Sequence, residues 1–229
     1  ITVPLTKDQG YDLDGILKKV NDKTKMVVIT NPNNPTGQYL SYDAIDSFIQ
    51  KIDKHVVVLI DEAYIELATA PDCKTMISLI KKYPDQPILV MRTFSKYYAM
   101  AGVRVGYLIA QKEYIDGINV IPGSTVARGA QAAALQALKE QDYYAGLKEK
   151  IVAGARYIEE ELRKLGCDVY TTQTNFILFD PHMNYEEVRD KLLDKGIHIS
   201  IPMMDRVSVS TKENNEYFIA CMKEILQGS

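Results

Sequence analysis

The sequence predicts an α/β domain built on a largely parallel sheet, followed by a smaller α+β domain. Three observations carry that expectation. Short apolar, β-branched runs alternate with segments of helical periodicity in the first part of the chain, the rhythm of repeated helix–strand winding. Polar residues with chemical potential follow each run directly. From about Asp142 the pattern changes to one long helix and then to short strands mixed with helices.

Composition bounds the rest. With 229 residues, 46% hydrophobic and 25% charged, the chain has the profile of an ordinary globular protein able to bury a sizeable core. Net charge is −3 and no basic run exceeds a Lys-Lys pair, which argues against a nucleic-acid partner. The longest apolar run, Val56 to Ile60, is far short of the roughly 20 residues of a membrane-spanning helix, so no membrane segment is expected. Cys73, Cys167 and Cys221 match neither a disulfide framework nor a zinc spacing, and a cytoplasmic location is the expectation. His55, His182 and His198 lack partners at ligand spacing, so no metal site is expected. The opening ITVPLT has neither an initiator Met nor a signal-peptide layout, and the natural start is expected to be missing.

Taken in order, Leu13, Ile16, Leu17 and Val20 predict a helix and Met26 to Thr30 a buried strand. Ile45, Phe48, Ile49 and Ile52 mark a helix after Ser41, and Val56 to Ile60 the next strand. Met76, Ile77 and Ile80 suggest a helix, and Ile88 to Arg92 a third strand. The strand Val105 to Ala110 follows after only about a dozen residues. A parallel return needs a dozen or more with a helix among them, so this strand is expected to run antiparallel to Ile88–Arg92. Arg104 and Lys96 then share one edge of the sheet.

The alanine-rich stretch Gln131 to Leu138 reads as a packed helix, and PGSTVARG (Pro122 to Gly129) before it leaves Arg128 without a role. A long helix carries Leu147, Ile151, Ile158, Leu162 and Leu165 and ends near Gly166. Then come a strand over Asn175 to Phe179, a helix capped by Asn184, and strands around Ile197–Ile201 and Arg206–Ser210. The closing helix is expected to start with a capping box of Ser210 and Glu213.

Ligands of open α/β sheets bind outside the carboxyl ends of the strands. There the chain places NPNNPTG (Asn31 to Gly37), DEAY (Asp61 to Tyr64) and TFSK (Thr93 to Lys96). Taken singly, each has a plain reading. NPNNPTG is a turn. Asp61, a carboxylate at a buried strand end, needs a cation or donor, or caps a helix. Lys96 is a solvated lysine, and Arg104 pairs with a surface carboxylate.

Together, Asn34, Asp61, Tyr64, Thr93, Ser95, Lys96 and Arg104, in that order and at those spacings, resemble the fold-type I, pyridoxal-phosphate-dependent aminotransferases of class I/II. The segments NPNNPTG, DEAYIEL and RTFSKYYAMAGVRVGY are most similar to those of histidinol-phosphate aminotransferases. The resemblance covers nearly the whole chain and corresponds to roughly the latter two-thirds of such an enzyme. It implies the PLP-dependent transferase fold, with residues 1–141 as a large PLP-binding domain lacking its N-terminal part and 142–229 as a small C-terminal domain.

The resemblance also implies roles. Lys96 forms a Schiff base with pyridoxal 5'-phosphate and shuttles the proton of the substrate's α-carbon, which requires an unprotonated amine that burial or nearby cations favour. Asp61 keeps the ring nitrogen protonated. Asn34 and Tyr64 donate to the ring's phenolate oxygen, and Arg104, Thr93 and Ser95 hold the phosphate. In the second domain Arg206 clamps the substrate's α-carboxylate, its alternative being a surface pair with Asp205, and Asn175 lies near the substrate or simply ends a turn.

The implied reaction moves an amino group between an amino acid or histidinol phosphate and 2-oxoglutarate, in a protein that is a homodimer at full length. The alternatives are a PLP-dependent decarboxylase or β-lyase on the same scaffold, or a non-catalytic fragment of such an enzyme.

Overall fold

The computed structural model describes residues 1–119, 125–201 and 204–228. Its packing divides into two compact units, Ile1–Asn33 with Tyr39–Tyr144, and Asn34–Gln38 with Ala145–Ser229.

The first unit runs α1 (Leu13–Lys19), β1 (Met26–Thr30), α2 (Tyr42–Lys51), β2 (Val57–Asp61), α3 (Ile77–Lys82), β3 (Ile88–Thr93), β4 (Gly106–Ile109), α4 (Lys112–Asn119) and α5 (Arg128–Lys139). The strands form one sheet in the order β1-β2-β3-β4. β1 pairs with β2 and β2 with β3 in parallel, whereas β3 and β4 are antiparallel, as the short connection requires. Alternation of side chains turns Ile29, Val58, Ile60 and Val90 toward α2 and α3, where they close over Phe48 and Leu79. Each of these fully buried side chains contributes about 1.5–3 kcal/mol. The same alternation leaves Met26, Val28 and Met91 exposed on the opposite face.

Local chemistry fixes the helix starts. Ser41 Oγ accepts from Ala44 N at 3.1 Å and Asp12 Oδ1 from Gly15 N at 2.8 Å, each satisfying one of the donors left open at a helix start. Three strands differ in their bounds from expectation. β2 begins at Val57 and takes Asp61 as its last residue, β3 runs one residue further to Thr93, and β4 spans only Gly106–Ile109. α4 is an addition to the expected elements, although Tyr114, Ile115 and Ile118 of KEYIDGIN do recur at helical spacing. Of the segment PGSTVARG, residues 122–124 lie outside the described residues.

The second unit holds most of α6 (Gln141–Lys164), then β5 (Asp168–Val169), β6 (Phe176–Asp180), α7 (Tyr185–Asp194), β7 (Asp205–Ser208) and α8 (Lys212–Gln227). β5-β6-β7 is an antiparallel sheet whose Ile177 and Phe179 pack with Ile158, Leu162, Phe218 and Met222. α6 stops where Gly166 takes φ +87, a conformation that favours glycine, and Cys167 N donates back to Leu162 O. Asn184 Oδ1 caps α7 by accepting from Glu187 N at 3.0 Å.

Three expectations fail in this unit. Ile197–Ile201 is not a strand: only Ser200 bridges, to Arg206, with backbone bonds in both directions. The cap of α8 is Thr211, whose Oγ1 accepts from Asn214 N, while Ser210 N instead donates to Asn215 Oδ1. The expected capping box of Ser210 and Glu213 is therefore not formed, and a simple cap stands one residue later. Asn175 precedes β6 and joins the sheet only through its carbonyl, which accepts from Val209 N at 2.9 Å.

Candidate active site

In the first unit the register Thr93↔Gly106 places the end of β3 beside the start of β4. Lys96 lies three residues beyond the one and Arg104 two before the other, so both stand at the same edge, as the antiparallel inference required. β2 ends beside them, with Asp61 opposite Met91. Asp61 and Thr93 project from the same face of the sheet, because Met91 and Thr93 are two apart on one strand.

The backbone around these residues is tightly specified. Asp61 Oδ1 accepts from Ala63 N at 2.9 Å, a side-chain turn that starts the loop carrying Tyr64 and does not cap a helix. Thr93 Oγ1 donates to Val105 O at 3.3 Å and accepts from Ser95 N at 3.0 Å, tying TFSK to the strand that follows Arg104. Arg104 has φ +60, a left-handed conformation unusual for any residue with a Cβ. Its Nη1 donates to Ala101 O at 2.8 Å, and no carboxylate meets it among the described residues, so the surface pair is not formed. Lys96 is exposed, so burial is not what would favour its unprotonated amine, and its Nζ lies 5.3 Å from the centre of the Tyr64 ring.

Sequence reasoning missed a buried ion pair directly behind this edge. Glu62 has no exposed surface, and its carboxylate accepts from Met76 N at 2.6 Å, Thr75 Oγ1 at 2.7 Å and Arg92 Nη1 at 3.2 Å. Arg92 Nη2 also donates to Glu66 Oε1 at 2.5 Å. Burial pushes the Glu62 carboxyl up, and the donors from Met76, Thr75 and Arg92 oppose that only in part. The available signal was the charge pattern: two glutamates flanking Tyr64 and one arginine at the end of the neighbouring strand.

NPNNPTG divides between the units. Asn31 is buried in the first and clamps Leu40, accepting from its N–H at 2.7 Å and donating to its carbonyl at 3.0 Å. Asn33 Oδ1 accepts from Thr30 Oγ1 and from Tyr11 OH. These two asparagines are structural. Asn34 belongs to the second unit, where its Oδ1 accepts from Arg206 Nη1 at 2.6 Å. Arg206 further donates to Ser200 Oγ at 3.3 Å and lies 4.9 Å from the Phe176 ring centre.

The Arg206–Asp205 surface pair is not formed. Neighbours on a strand face opposite ways, so Asp205 is fully buried, with neither carboxylate oxygen hydrogen-bonded, while Arg206 faces the other side. Burial, helped by Asp180, pushes the Asp205 carboxyl up to about 7. Arg128 is exposed at the start of α5. Among the described residues no group of three or more His, Cys, Asp or Glu could hold a metal ion, and no helix is long and apolar enough to cross a membrane.

A lysine, a forked cation, two hydroxyl side chains and a carboxylate on adjacent strand ends form a donor set suited to an anionic, carbonyl-bearing ligand. Comparison with known proteins agrees. The histidinol-phosphate aminotransferase of Bacillus pumilus is 38% identical over 234 residues, covering 99% of this chain and 63% of that protein. The chain thus spans less than two-thirds of the length of that relative. The crystal structure of histidinol-phosphate aminotransferase from Sinorhizobium meliloti in complex with pyridoxal-5'-phosphate superposes with a TM-score of 0.89 at 27% identity, over 100% of this chain and 64% of that one. A decarboxylase from Sulfurospirillum multivorans shares the fold, with a TM-score of 0.87 at 22% identity over 98% of this chain and 69% of that one. The family model for aminotransferase class I and II matches residues 1–221. On that match, and on the conjunction of Asp61, Lys96 and Arg104 at one sheet edge, the chain belongs to the aminotransferase class I and II family.

Proposed function

We propose that this chain carries the cofactor-binding and substrate-clamping residues of a pyridoxal 5'-phosphate-dependent aminotransferase that moves an amino group between histidinol phosphate, or a related amino acid, and 2-oxoglutarate. The observation that carries the reading is the Thr93↔Gly106 register, which sets Lys96 and Arg104 at one edge with Asp61 on the next strand.

The residues fit the cofactor chemically. Lys96 Nζ is exposed and free to bond a carbonyl carbon. Arg104 keeps most of its guanidinium fork available for a phosphate, with Thr93 and Ser95 hydroxyls on the neighbouring strand end. The Asp61 carboxylate would hold the proton on the ring nitrogen, and Tyr64 and Asn34 would donate to the ring oxygen. Bound pyridoxal 5'-phosphate supplies an electron sink for the pair released at the substrate's α-carbon. Lys96 Nζ would take the proton from that carbon and return it elsewhere. In the second unit Arg206 would bind the α-carboxylate, which would compete with Asn34 Oδ1 for Nη1, and Asn175 would lie near the substrate.

The test is uptake of pyridoxal 5'-phosphate with a visible absorption band, followed by borohydride reduction and peptide mapping. The adduct is expected on Lys96; an adduct on another lysine, or none, overturns the reading. The fold shared with a decarboxylase keeps a second reaction in play. In the full-length protein, glutamate formed from an amino donor and 2-oxoglutarate supports transamination, and carbon dioxide release supports decarboxylation.

A further inference from the structure

We infer that Arg92 is a positioning residue for this site: held by Glu62 and Glu66, its guanidinium locks the loop that follows Asp61 and bears Tyr64 to the end of β3, which carries Thr93 and leads to Ser95 and Lys96. The inference rests on the proposed cofactor function and deepens it.

Strand alternation puts Arg92 on the face opposite Asp61 and Thr93, so it works from behind the edge and leaves the ligand side clear. Glu62 and Glu66 bracket Tyr64 in sequence, and both carboxylates converge on one guanidinium. Glu62 is anchored a second time through Thr75 and Met76, the turn that starts α3. The loop therefore has a fixed point on each side of Tyr64, and both are referred to the strand that leads into Lys96. A planar fork with two fixed acceptors transmits geometry, whereas a point charge transmits attraction without direction. A buried ion pair is weak evidence of a stabilising role, because desolvation offsets much of its attraction, and Arg92 Nε lacks a partner, so a role in geometry accounts for the pair better than stability does.

The test compares Arg92→Lys, which keeps the charge and loses the fork, and Glu66→Gln, at the more accessible end, with Asp46→Ala. Asp46 binds Lys82 and Tyr83 away from the strand ends, and its loss lowers the stability of the same unit without touching the edge. Arg92→Lys and Glu66→Gln are expected to weaken the apparent affinity for pyridoxal 5'-phosphate about tenfold and to move the pH midpoint of the visible band. In the cofactor-free chain, Arg92→Lys is expected to speed hydrogen exchange at Ala63 N–H and Ser95 N–H, which bind Asp61 Oδ1 and Thr93 Oγ1, by about tenfold. Asp46→Ala should leave all three readings in place.

Cofactor affinity within twofold of wild type, with exchange unchanged at both amides, overturns the role of Arg92 and leaves the cofactor function standing. A wild-type chain that takes up no cofactor overturns the proposed function, and the exchange readings still decide whether Arg92 orders the two loops. If Arg92→Lys fails to fold, Glu66→Gln decides by the same affinity and exchange measurements.

Discussion

Arg206 Nη1 donates to Asn34 Oδ1 at 2.6 Å, joining residues 172 apart in sequence within one packing unit. The bond occupies one arm of a fork, while Nη2 reaches Ser200 and Nε has no partner. An arginine so held is pre-oriented, and a carboxylate arriving at it would exchange with a neutral acceptor for a stronger, charge-assisted one.

Arg206→Lys is therefore expected to raise KM for the carboxylate-bearing substrates about tenfold or more in the cofactor-loaded enzyme, with a smaller change in kcat. Steady-state kinetics with glutamate and 2-oxoglutarate provide the measurement. An unchanged KM would make Arg206 a strut for the Asn34 loop and nothing more.

Lys96→Ala should abolish the covalent attachment of the cofactor that borohydride reduction fixes and lower turnover by at least about a thousandfold, since covalent attachment and proton transfer are lost together. Reversible affinity should survive in part through Arg104 and Asp61. Equilibrium dialysis separates the two effects, and normal transamination by the variant would remove Lys96 from the mechanism.

Arg104 is held at φ +60 and ψ 52. A left-handed residue with a Cβ is strained by about 1–2 kcal/mol, and glycine returns roughly 0.5–1 kcal/mol of that through its larger loss of backbone entropy. Arg104→Gly is expected to raise unfolding stability by about 0.5–1 kcal/mol in urea titrations while weakening cofactor affinity at least tenfold. A stabilised variant with poor binding is the pattern of a strained residue retained for its function.

Much of this was legible in the sequence, for identifiable reasons. Met26–Thr30 and Ile88–Arg92 are apolar runs of strand-favouring residues, although β1 is covered on one face only, with Ile29 buried and Met26 and Val28 exposed. Ser41 and Asn184 are residues whose side chains favour helix starts. The spacing before β4 fixed the antiparallel turn and, with it, the shared edge of Lys96 and Arg104. What failed depended on competition between near neighbours that spacing alone does not decide. Thr211 outcompetes Ser210 as a cap because Asn215 engages the Ser210 backbone, and Ile197–Ile201 finds a bridge only at Ser200. Asp205 and Arg206 look like an ion pair when read as neighbours. Strand alternation, applied to the same two letters, separates them.

That separation gives the last prediction. Asp205 is buried without a hydrogen-bond partner and has the Asp180 carboxylate nearby, which raises its carboxyl from an ordinary 3.8 to about 7; Cys167 and Tyr185, also close to Asp180, are pushed up by the same burial. Below about pH 4 the group is protonated in both the folded and unfolded chains and has no effect on pH dependence. Between about pH 4 and 7 the folded chain retains a proton that the unfolded chain has lost, so stability falls as pH rises. Above about 7 both forms are ionised and the cost of the buried charge is present in full, on the order of a few kcal/mol at about 1.4 kcal/mol per pKa unit. Asp205→Asn should therefore match the wild type near pH 4, flatten the decline between pH 4 and 7, and exceed the wild type at pH 8. Urea midpoints across that range test it, and an equally steep decline in the variant would show that another group carries the titration.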